Sequence, residues 1–214
     1  MGRRRIGAYG GTFDPVHIGH TEIARAVTEN FRLDEMLIIP AHLPPHKQTG
    51  AVSKPFHRYA MAALATEDDK RLKVSAIEME MPERPYTFQT IERLYGIYGV
   101  DAKLFFVMGA DSFADIMTWR EPERLLSSVS VVVAARPGIE IETAHLPERF
   151  RSRVRVGHEA EDENEHLIYL TSYVERDISS SEIRRRARAG LSISEMVPRR
   201  VADYIEKYGL YKQE

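Results

Sequence analysis

The chain of 214 residues contains no cysteine, so a disulfide framework, a thiolate metal site and a thiol nucleophile are all excluded. It also lacks long apolar runs. The basic start MGRRR is not followed by one, and no stretch approaches the length of a membrane span, so a soluble cytoplasmic protein with no membrane partner is expected. Net charge is small, with 30 Lys and Arg against 32 Asp and Glu. That balance argues against wholesale nucleic-acid binding, although it leaves room for a local basic patch. Two phosphate-binding signatures are missing as well. No GxxxxGK[ST] occurs, and the first glycine turn is not GxGxxG, so neither a P-loop nor a dinucleotide-binding fingerprint is supported. There is no internal repeat and no low-complexity tract.

What the chain does have is enough apolar residue, 43%, for one well-buried core. Short apolar runs mark candidate strands at Arg5 to Tyr9, Met36 to Pro40, Lys73 to Ile77, Lys103 to Met108, Val129 to Ala134 and His166 to Leu170. Several are apolar almost throughout, as parallel strands covered on both faces should be. Helical patterns alternate with them at 17 to 30, 56 to 68, 87 to 98, 112 to 126, 180 to 189 and Pro198 to Tyr208. The alternation predicts a single α/β domain over 1–214, a Rossmann-like, doubly wound parallel sheet with a small helical C-terminal portion at 180–214. Ligands should gather at the carboxyl ends of its strands. The loop PAHLPPHKQTG is proline-rich, and RSRVRVGHEAEDENEH reads as a charge-dense, solvated surface segment.

Residues 10 to 20, GGTFDPVHIGH, join the first strand to the first helix. One reading is an ordinary turn, with Asp14 capping the helix and Pro15 at its first position. The other is a phosphate cradle, because glycines let backbone N–H groups approach an anion at a helix N-terminus. His17 and His20 lie three apart, share a helical face and can point together at whatever the turn holds. Zinc is a rival use of that spacing, but it needs a third and fourth ligand, and neither HExxH nor cysteine supplies them. Residues 178 to 186, ISSSEIRRR, offer a similar choice. They fit a serine-capped helix with a solvated arginine face, or a second anion site in which serine hydroxyls hold a phosphate and Arg184 forks onto its oxygens.

GGTFDPVHIGH resembles the glycine turn and HxGH signature of the nucleotidyltransferase superfamily, and ISSSEIR resembles its ISSTxIR motif. PPHK (44 to 47), PYT (85 to 87), GADSF (109 to 113), Trp119 and ARPG (135 to 138) extend the resemblance to the bacterial nicotinate-nucleotide adenylyltransferases, over nearly the whole chain. That family joins ATP and nicotinate mononucleotide to give deamido-NAD and pyrophosphate. The resemblance implies that Gly10, Gly11, Thr12 and Phe13 lie against the nucleotides, with His17 and His20 at the reacting phosphates. It puts Ile178, Ser179, Ser180 and Arg184 at the adenosine side and the outgoing pyrophosphate, and Gly109 and Asp111 beside the adenosine ribose. Three positions depart from the family pattern. Pro85 stands for serine, Gln89 for aspartate, and Ser181 for the threonine of ISSTxIR.

An attacking phosphate needs no protein nucleophile, so His17 and His20 are expected to stabilise charge on the transition state, and Arg184 and Ser180 the leaving group. Mg2+ is expected to enter with ATP and to need few or no protein carboxylates. Trp119 can stack on a pyridine ring, while Tyr86 and Thr87 at a helix start can offer N–H groups to a carboxylate. Lys47 can reach a substrate phosphate or simply stand in solvent. A different acceptor (nicotinamide mononucleotide or phosphopantetheine) and a non-catalytic nucleotide sensor are the alternatives. The oligomeric state is left open, a homo-oligomer included.

Overall fold

The computed structural model describes residues 3–42, 52–135, 140–157, 165–173 and 178–212. Its strands are β1 (Arg5–Gly11), β2 (Glu35–Pro40), β3 (Leu72–Val74), β4 (Lys103–Gly109), β5 (Ser130–Ala134), β6 (Val154–Val156) and β7 (Ile168–Thr171). Its helices are α1 (Ile18–Asn30), α2 (Pro55–Thr66), α3 (Thr87–Tyr98), α4 (Ala110–Ala114), α5 (Pro122–Ser128), α6 (Glu148–Arg151), α7 (Ser180–Arg188) and α8 (Arg199–Lys207).

All strand pairs are parallel, and the sheet runs β3-β2-β1-β4-β5-β7-β6. The order reverses between β1 and β4. At that point the connections leave toward opposite faces, and a crevice opens outside the carboxyl ends of the two strands. Tyr9 pairs with Val107 there. The pleat then sends alternate side chains to opposite layers. Phe105 and Val107 join one core with α1, α2, α7 and α8 through Ile23, Met61, Ile183 and Val201. Leu104, Phe106 and Met108 join the other with α3, α4 and α5 through Ile91, Phe113 and Leu125. The expected doubly wound parallel sheet is therefore the one observed.

Two expectations need correction. The pattern at 112 to 126 is not one helix. It is α4, a 3-10 turn at Ile116–Thr118, and α5, broken where Glu121 takes a left-handed φ of 53° before Pro122. Proline clashes with a continuing helix at the residue before it, so the chain must restart. The segment at 151 to 166, expected as a charge-dense, solvated surface segment, also carries a strand that the sequence reading missed, because Val154–Val156 forms the edge strand β6 beside β7. This edge is only partly covered: Val154 packs against the second core, while Val156 is 85% exposed. Residues 158–164 lie outside the described part.

At the amino end of the sheet Glu35 is 3% exposed and gathers three partners. Arg4 Nη2 reaches its carboxylate at 3.3 Å, Lys73 Nζ at 2.6 Å, and the Tyr98 hydroxyl donates to Oε1. One carboxylate thus ties the lead into β1, strand β3 and the end of α3. Burial pushes the Glu35 carboxyl up, but the hydrogen bonds from Lys73 and Tyr98 and the charges of Lys73 and Arg4 outweigh it, so its pKa lies below the ordinary 4.5. The Tyr98 hydroxyl is pushed up to about 12, first by burial and then by Glu35. A depressed carboxylate contributes stability above its unfolded pKa and loses it as pH falls through the folded value. Glu35→Gln is expected to lower stability at neutral pH by about 1 to 2 kcal/mol, less than a fully buried pair because Arg4 and Lys73 can turn to water. It should also flatten the fall in thermal midpoint below about pH 4.5. Thermal melts of both proteins across pH 3 to 7 check this; parallel curves would contradict it.

Candidate active site

The end of β1 turns sharply. Phe13 takes a left-handed φ of 51°, which swings its ring, 2% exposed, back across the strand end. A Cβ at Gly11 would meet that ring at 2.8 Å. Glycine is therefore needed at 11 for the chain's own aromatic ring. The Phe13 ring in turn meets His20 edge-on, at 5.0 Å between centroids, and Tyr9 at 5.4 Å. His17 caps α1 with extended backbone, and its N–H donates to His20 Nδ1 at 3.2 Å. That bond leaves Nε2 as the nitrogen that carries the hydrogen on a neutral His20 ring. The two imidazoles lie 3.6 Å apart between centroids, tilted by 30°. A stacked histidine pair at a helix N-terminus is thus assembled by the turn itself, and it can present N–H donors to an anion.

The C-terminal portion closes over this turn. Ser179 caps α7 by accepting the Glu182 N–H at 3.2 Å. Ser180 donates its hydroxyl to the Pro15 carbonyl at 3.0 Å, and Arg184 Nη1 donates to the Asp14 carbonyl at 2.7 Å. The Ile18 N–H donates to the Met196 carbonyl at 3.0 Å. ISSSEIR therefore docks directly on the glycine turn, and the positive end of α7 faces the same region as that of α1. Ile178, 8% exposed, anchors the start of the motif in the core.

The other flank belongs to the opposite helical layer. Gly109 caps α4 at the end of β4, and Asp111 stands exposed in its first turn. Trp119 is half-buried, packs edge-on against Phe106 at 6.4 Å, and lines a cavity of about 390 Å³ with Met117 and Arg124. Arg124 lies over the Phe88 ring at 4.8 Å, which brings the start of α3 to the same flank. Tyr86 caps α3 and is half-exposed, but its N–H donates to Gln89 Oε1 at 2.9 Å. The donors left at that helix start are those of Thr87 and Phe88, so the expectation for Tyr86 is corrected. The departure at Gln89 acquires a local role as a helix cap.

His17, His20, Ser180 and Arg184 gather at the glycine turn in one layer, and Trp119 and the start of α3 lie on a common flank in the other. All of PPHK, Lys47 included, and residues 136 to 138 of ARPG lie outside the described residues. The reading of Asp14 as cap of the first helix is overturned. His17 is the cap, and the Asp14 carboxylate, 1% exposed, accepts the Tyr211 hydroxyl at 2.7 Å and the Ser53 N–H at 3.2 Å.

Arg58 escaped the sequence reading altogether. It is 1% exposed and donates to the carbonyls of Ser53 (3.1 Å), Thr12 (2.9 Å), Ala41 (2.6 Å) and His42 (3.1 Å). A signal was present, because Arg58 stands at the head of the buried stripe of Met61, Ala62 and Ala65 on α2, where an apolar residue belongs. Burial lowers its pKa, and Asp14, Tyr211 and Glu78 oppose that with their charges. Tyr211 is pushed up by burial and by Asp14, which keeps its hydroxyl a donor at neutral pH.

The cytidylyltransferase-like family model matches residues 8–186. A relative from Thermoanaerobacter sp. strain X514, named probable nicotinate-nucleotide adenylyltransferase, is 38% identical over 210 residues, covering 98% of this chain and 95% of the relative. A protein of the same name from Thermus thermophilus is 39% identical, covering 97% of this chain and all of the relative. The solved structure of Plasmodium falciparum nicotinic acid mononucleotide adenylyltransferase complexed with NaAD aligns with a TM-score of 0.76 over 98% of each chain. Its identity is 19%, so that likeness is one of fold.

The Asp14 contacts give the last residues of the chain a measurable part in holding the turn. Tyr211→Phe, which removes one donor from a buried carboxylate that keeps the Ser53 N–H, is expected to cost about 1 to 3 kcal/mol. Urea unfolding monitored through Trp119 fluorescence measures it, and an unchanged midpoint would show that Asp14 does not depend on Tyr211.

Proposed function

The chain belongs to the cytidylyltransferase-like family and, within it, to the nicotinate-nucleotide adenylyltransferases, and on that premise we propose how its residues carry out adenylyl transfer in NAD biosynthesis. ATP takes the glycine turn and the start of α1. Nicotinate mononucleotide takes the flank of Trp119 and α3. A phosphate oxygen of the mononucleotide attacks the α-phosphorus of ATP in line, the bond from that phosphorus to the bridging oxygen breaks, and the electron pair leaves with pyrophosphate. The products are deamido-NAD and pyrophosphate.

The observation that carries this reading is the His17–His20 pair held against the turn, with Arg184 on the Asp14 carbonyl beside it. Two anions must meet here, so the catalytic demand is for preorganised donors rather than for a base. His20 offers Nε2–H, with the His17 ring tilted against it and the Phe13 ring meeting it edge-on. Arg184 and the unfilled N–H groups at the start of α7 serve the leaving pyrophosphate. The Ser180 hydroxyl acts structurally, since it already donates to the Pro15 carbonyl, whereas Ser179, which accepts the Glu182 N–H, keeps its O–H for a phosphate oxygen. Gly10, Gly11 and Thr12 contribute backbone around the phosphates, and Gly109 and Asp111 border the ribose. Among the described residues no group of three or more His, Asp or Glu side chains is arranged to hold a metal ion. In this reading divalent charge is delivered as Mg2+ on the phosphates of ATP, as part of the substrate, to offset the charge that builds on them. We place the reaction in the cytoplasm; no helix among the described residues is long and apolar enough to cross a membrane. Pyrophosphate release from ATP that requires nicotinate mononucleotide is the direct test. Release with phosphopantetheine instead would replace the acceptor, and nucleotide binding without turnover would make the chain a sensor.

His20→Ala is expected to lower kcat by at least about a hundredfold, the usual cost of one preorganised charge-stabilising donor. Near-normal turnover in a folded variant would remove His20 from the mechanism.

Acid and amide should differ. The N–H groups of Thr87 and Phe88 at a helix start favour a carboxylate, whereas a carboxamide would turn its own NH₂ toward donors. Charge-assisted hydrogen bonds are worth about 1.5 to 3 kcal/mol, so nicotinate mononucleotide should be preferred over the nicotinamide form by at least about tenfold in kcat/KM. Comparable values for the two would sink the proposed carboxylate site.

A further inference from the structure

We propose that Tyr211, beyond α8, is a positioning residue for adenylyl transfer: by occupying the Asp14 carboxylate it keeps Arg184 on the Asp14 carbonyl, where the guanidinium can meet the leaving pyrophosphate. The inference rests on the reading above, in which Arg184 serves that group.

Asp14 is held through both its side chain and its backbone. Its carboxylate accepts the Tyr211 hydroxyl at 2.7 Å through Oδ1 and the Ser53 N–H at 3.2 Å through Oδ2, and its carbonyl accepts Arg184 Nη1 at 2.7 Å. Arg184 Nη2 donates to Ser181 Oγ at 3.1 Å. The guanidinium is thus fixed at two points by neutral acceptors, and its other N–H groups can turn to an anion. The Asp14 carboxylate is 1% exposed and belongs to the same residue as the carbonyl that Arg184 holds. Deprived of a donor, a buried carboxylate draws the nearest cation able to move, because an unpaired buried charge is costly. Arg58 is committed, being 1% exposed and bonded to the carbonyls of Ser53, Thr12, Ala41 and His42. Arg184 is half-buried and needs only to swing from the carbonyl of Asp14 to its carboxylate.

The chain beyond α8 bends to deliver this hydroxyl. Gly209 takes a φ of 60° and Tyr211 itself one of 70°. A bulky side chain seldom adopts that left-handed region, and such a residue persists only where its surroundings hold it. The Tyr211 ring packs against the core shared by α1, α2, α7 and α8, as phenylalanine could. Packing therefore accounts for the ring, and the Asp14 contact for the hydroxyl. Burial and Asp14 push the Tyr211 pKa up, against the charge of Arg184, so the hydroxyl stays neutral and remains a donor. A neutral donor satisfies the carboxylate without an ion pair. An Asp14–Arg184 ion pair in its place would offset the positive charge that the leaving group needs and would aim the guanidinium away from it.

The test is a mutant cycle read by calorimetric titration with inorganic pyrophosphate, on the unmodified chain, Tyr211→Phe, Arg184→Ala and the two changes together. Tyr211→Phe is expected to weaken pyrophosphate at least about fivefold, within the usual coupling of residues in one hydrogen-bond network, while the Kd of nicotinate mononucleotide changes by less than about twofold. In the Arg184→Ala background the same change should move the pyrophosphate Kd by less than about twofold, because the group through which it acts is gone. Adding Asp14→Asn to Tyr211→Phe removes the charge that draws Arg184 and should bring the pyrophosphate Kd back to within about twofold of the unmodified chain. That pair also serves if Tyr211→Phe alone fails to fold, since it leaves no buried charge short of a donor. A purely structural role would weaken pyrophosphate and mononucleotide alike, persist without Arg184, and deepen with Asp14→Asn. An unmodified chain that does not bind pyrophosphate, an unchanged Kd in Tyr211→Phe, equal losses with and without Arg184, or no recovery with Asp14→Asn overturns the inference. If the cycle behaves as expected but the unmodified chain releases no pyrophosphate from ATP and nicotinate mononucleotide, the functional reading falls and the positioning of Arg184 stands.

Discussion

The active-site end of this sheet depends on a single buried guanidinium. Where parallel strands end side by side, their connections bring backbone carbonyls together out of reach of water, and β1 and β2 do so at Thr12, Ala41 and His42, with Ser53 closing from the other end of the loop. An unpaired buried carbonyl costs about 1 to 3 kcal/mol, so several in one place would open the turn. Arginine meets this demand because its N–H groups diverge in one rigid plane, whereas lysine offers a single point. Asp14 supplies the nearby negative charge and is itself held by Tyr211 and Ser53.

From that clamp the catalytic geometry follows in steps. With Thr12 fixed, Phe13 can hold its left-handed backbone and lay its ring over Gly11. With Phe13 in place, His20 has an aromatic wall, and the His17 N–H sets its tautomer. The C-terminal portion then docks on the carbonyls of Asp14 and Pro15. Preorganisation of this kind is what a transfer between two anions requires, because donors already oriented need not reorganise as charge develops.

The two proposed substrate flanks come from opposite layers of helices. α1 and α7 pack on one face of the sheet, α3 and the segment carrying Trp119 on the other, with the strand order reversing between β1 and β4. A strand order that reverses at this point is therefore a condition for joining two nucleotides here.

Much of this was legible in the sequence. Alternating apolar runs and helical patterns announced the parallel sheet, because strands buried on both faces must be apolar throughout. The motifs marked His17, His20 and Arg184, and the fold brings these three side chains to one turn. β6 was hidden, since a short edge strand that is only partly covered carries too little apolar pattern to stand out from loop. The break at Glu121 was hidden because apolar spacing continues across it. Arg58, Asp14 and Tyr211 take their meaning from partners 5 to 197 residues away. Local pattern registers what a residue does to its own helix or strand. Only the closed tertiary structure decides which carbonyls are buried together, and hence which single charge must be there to hold them.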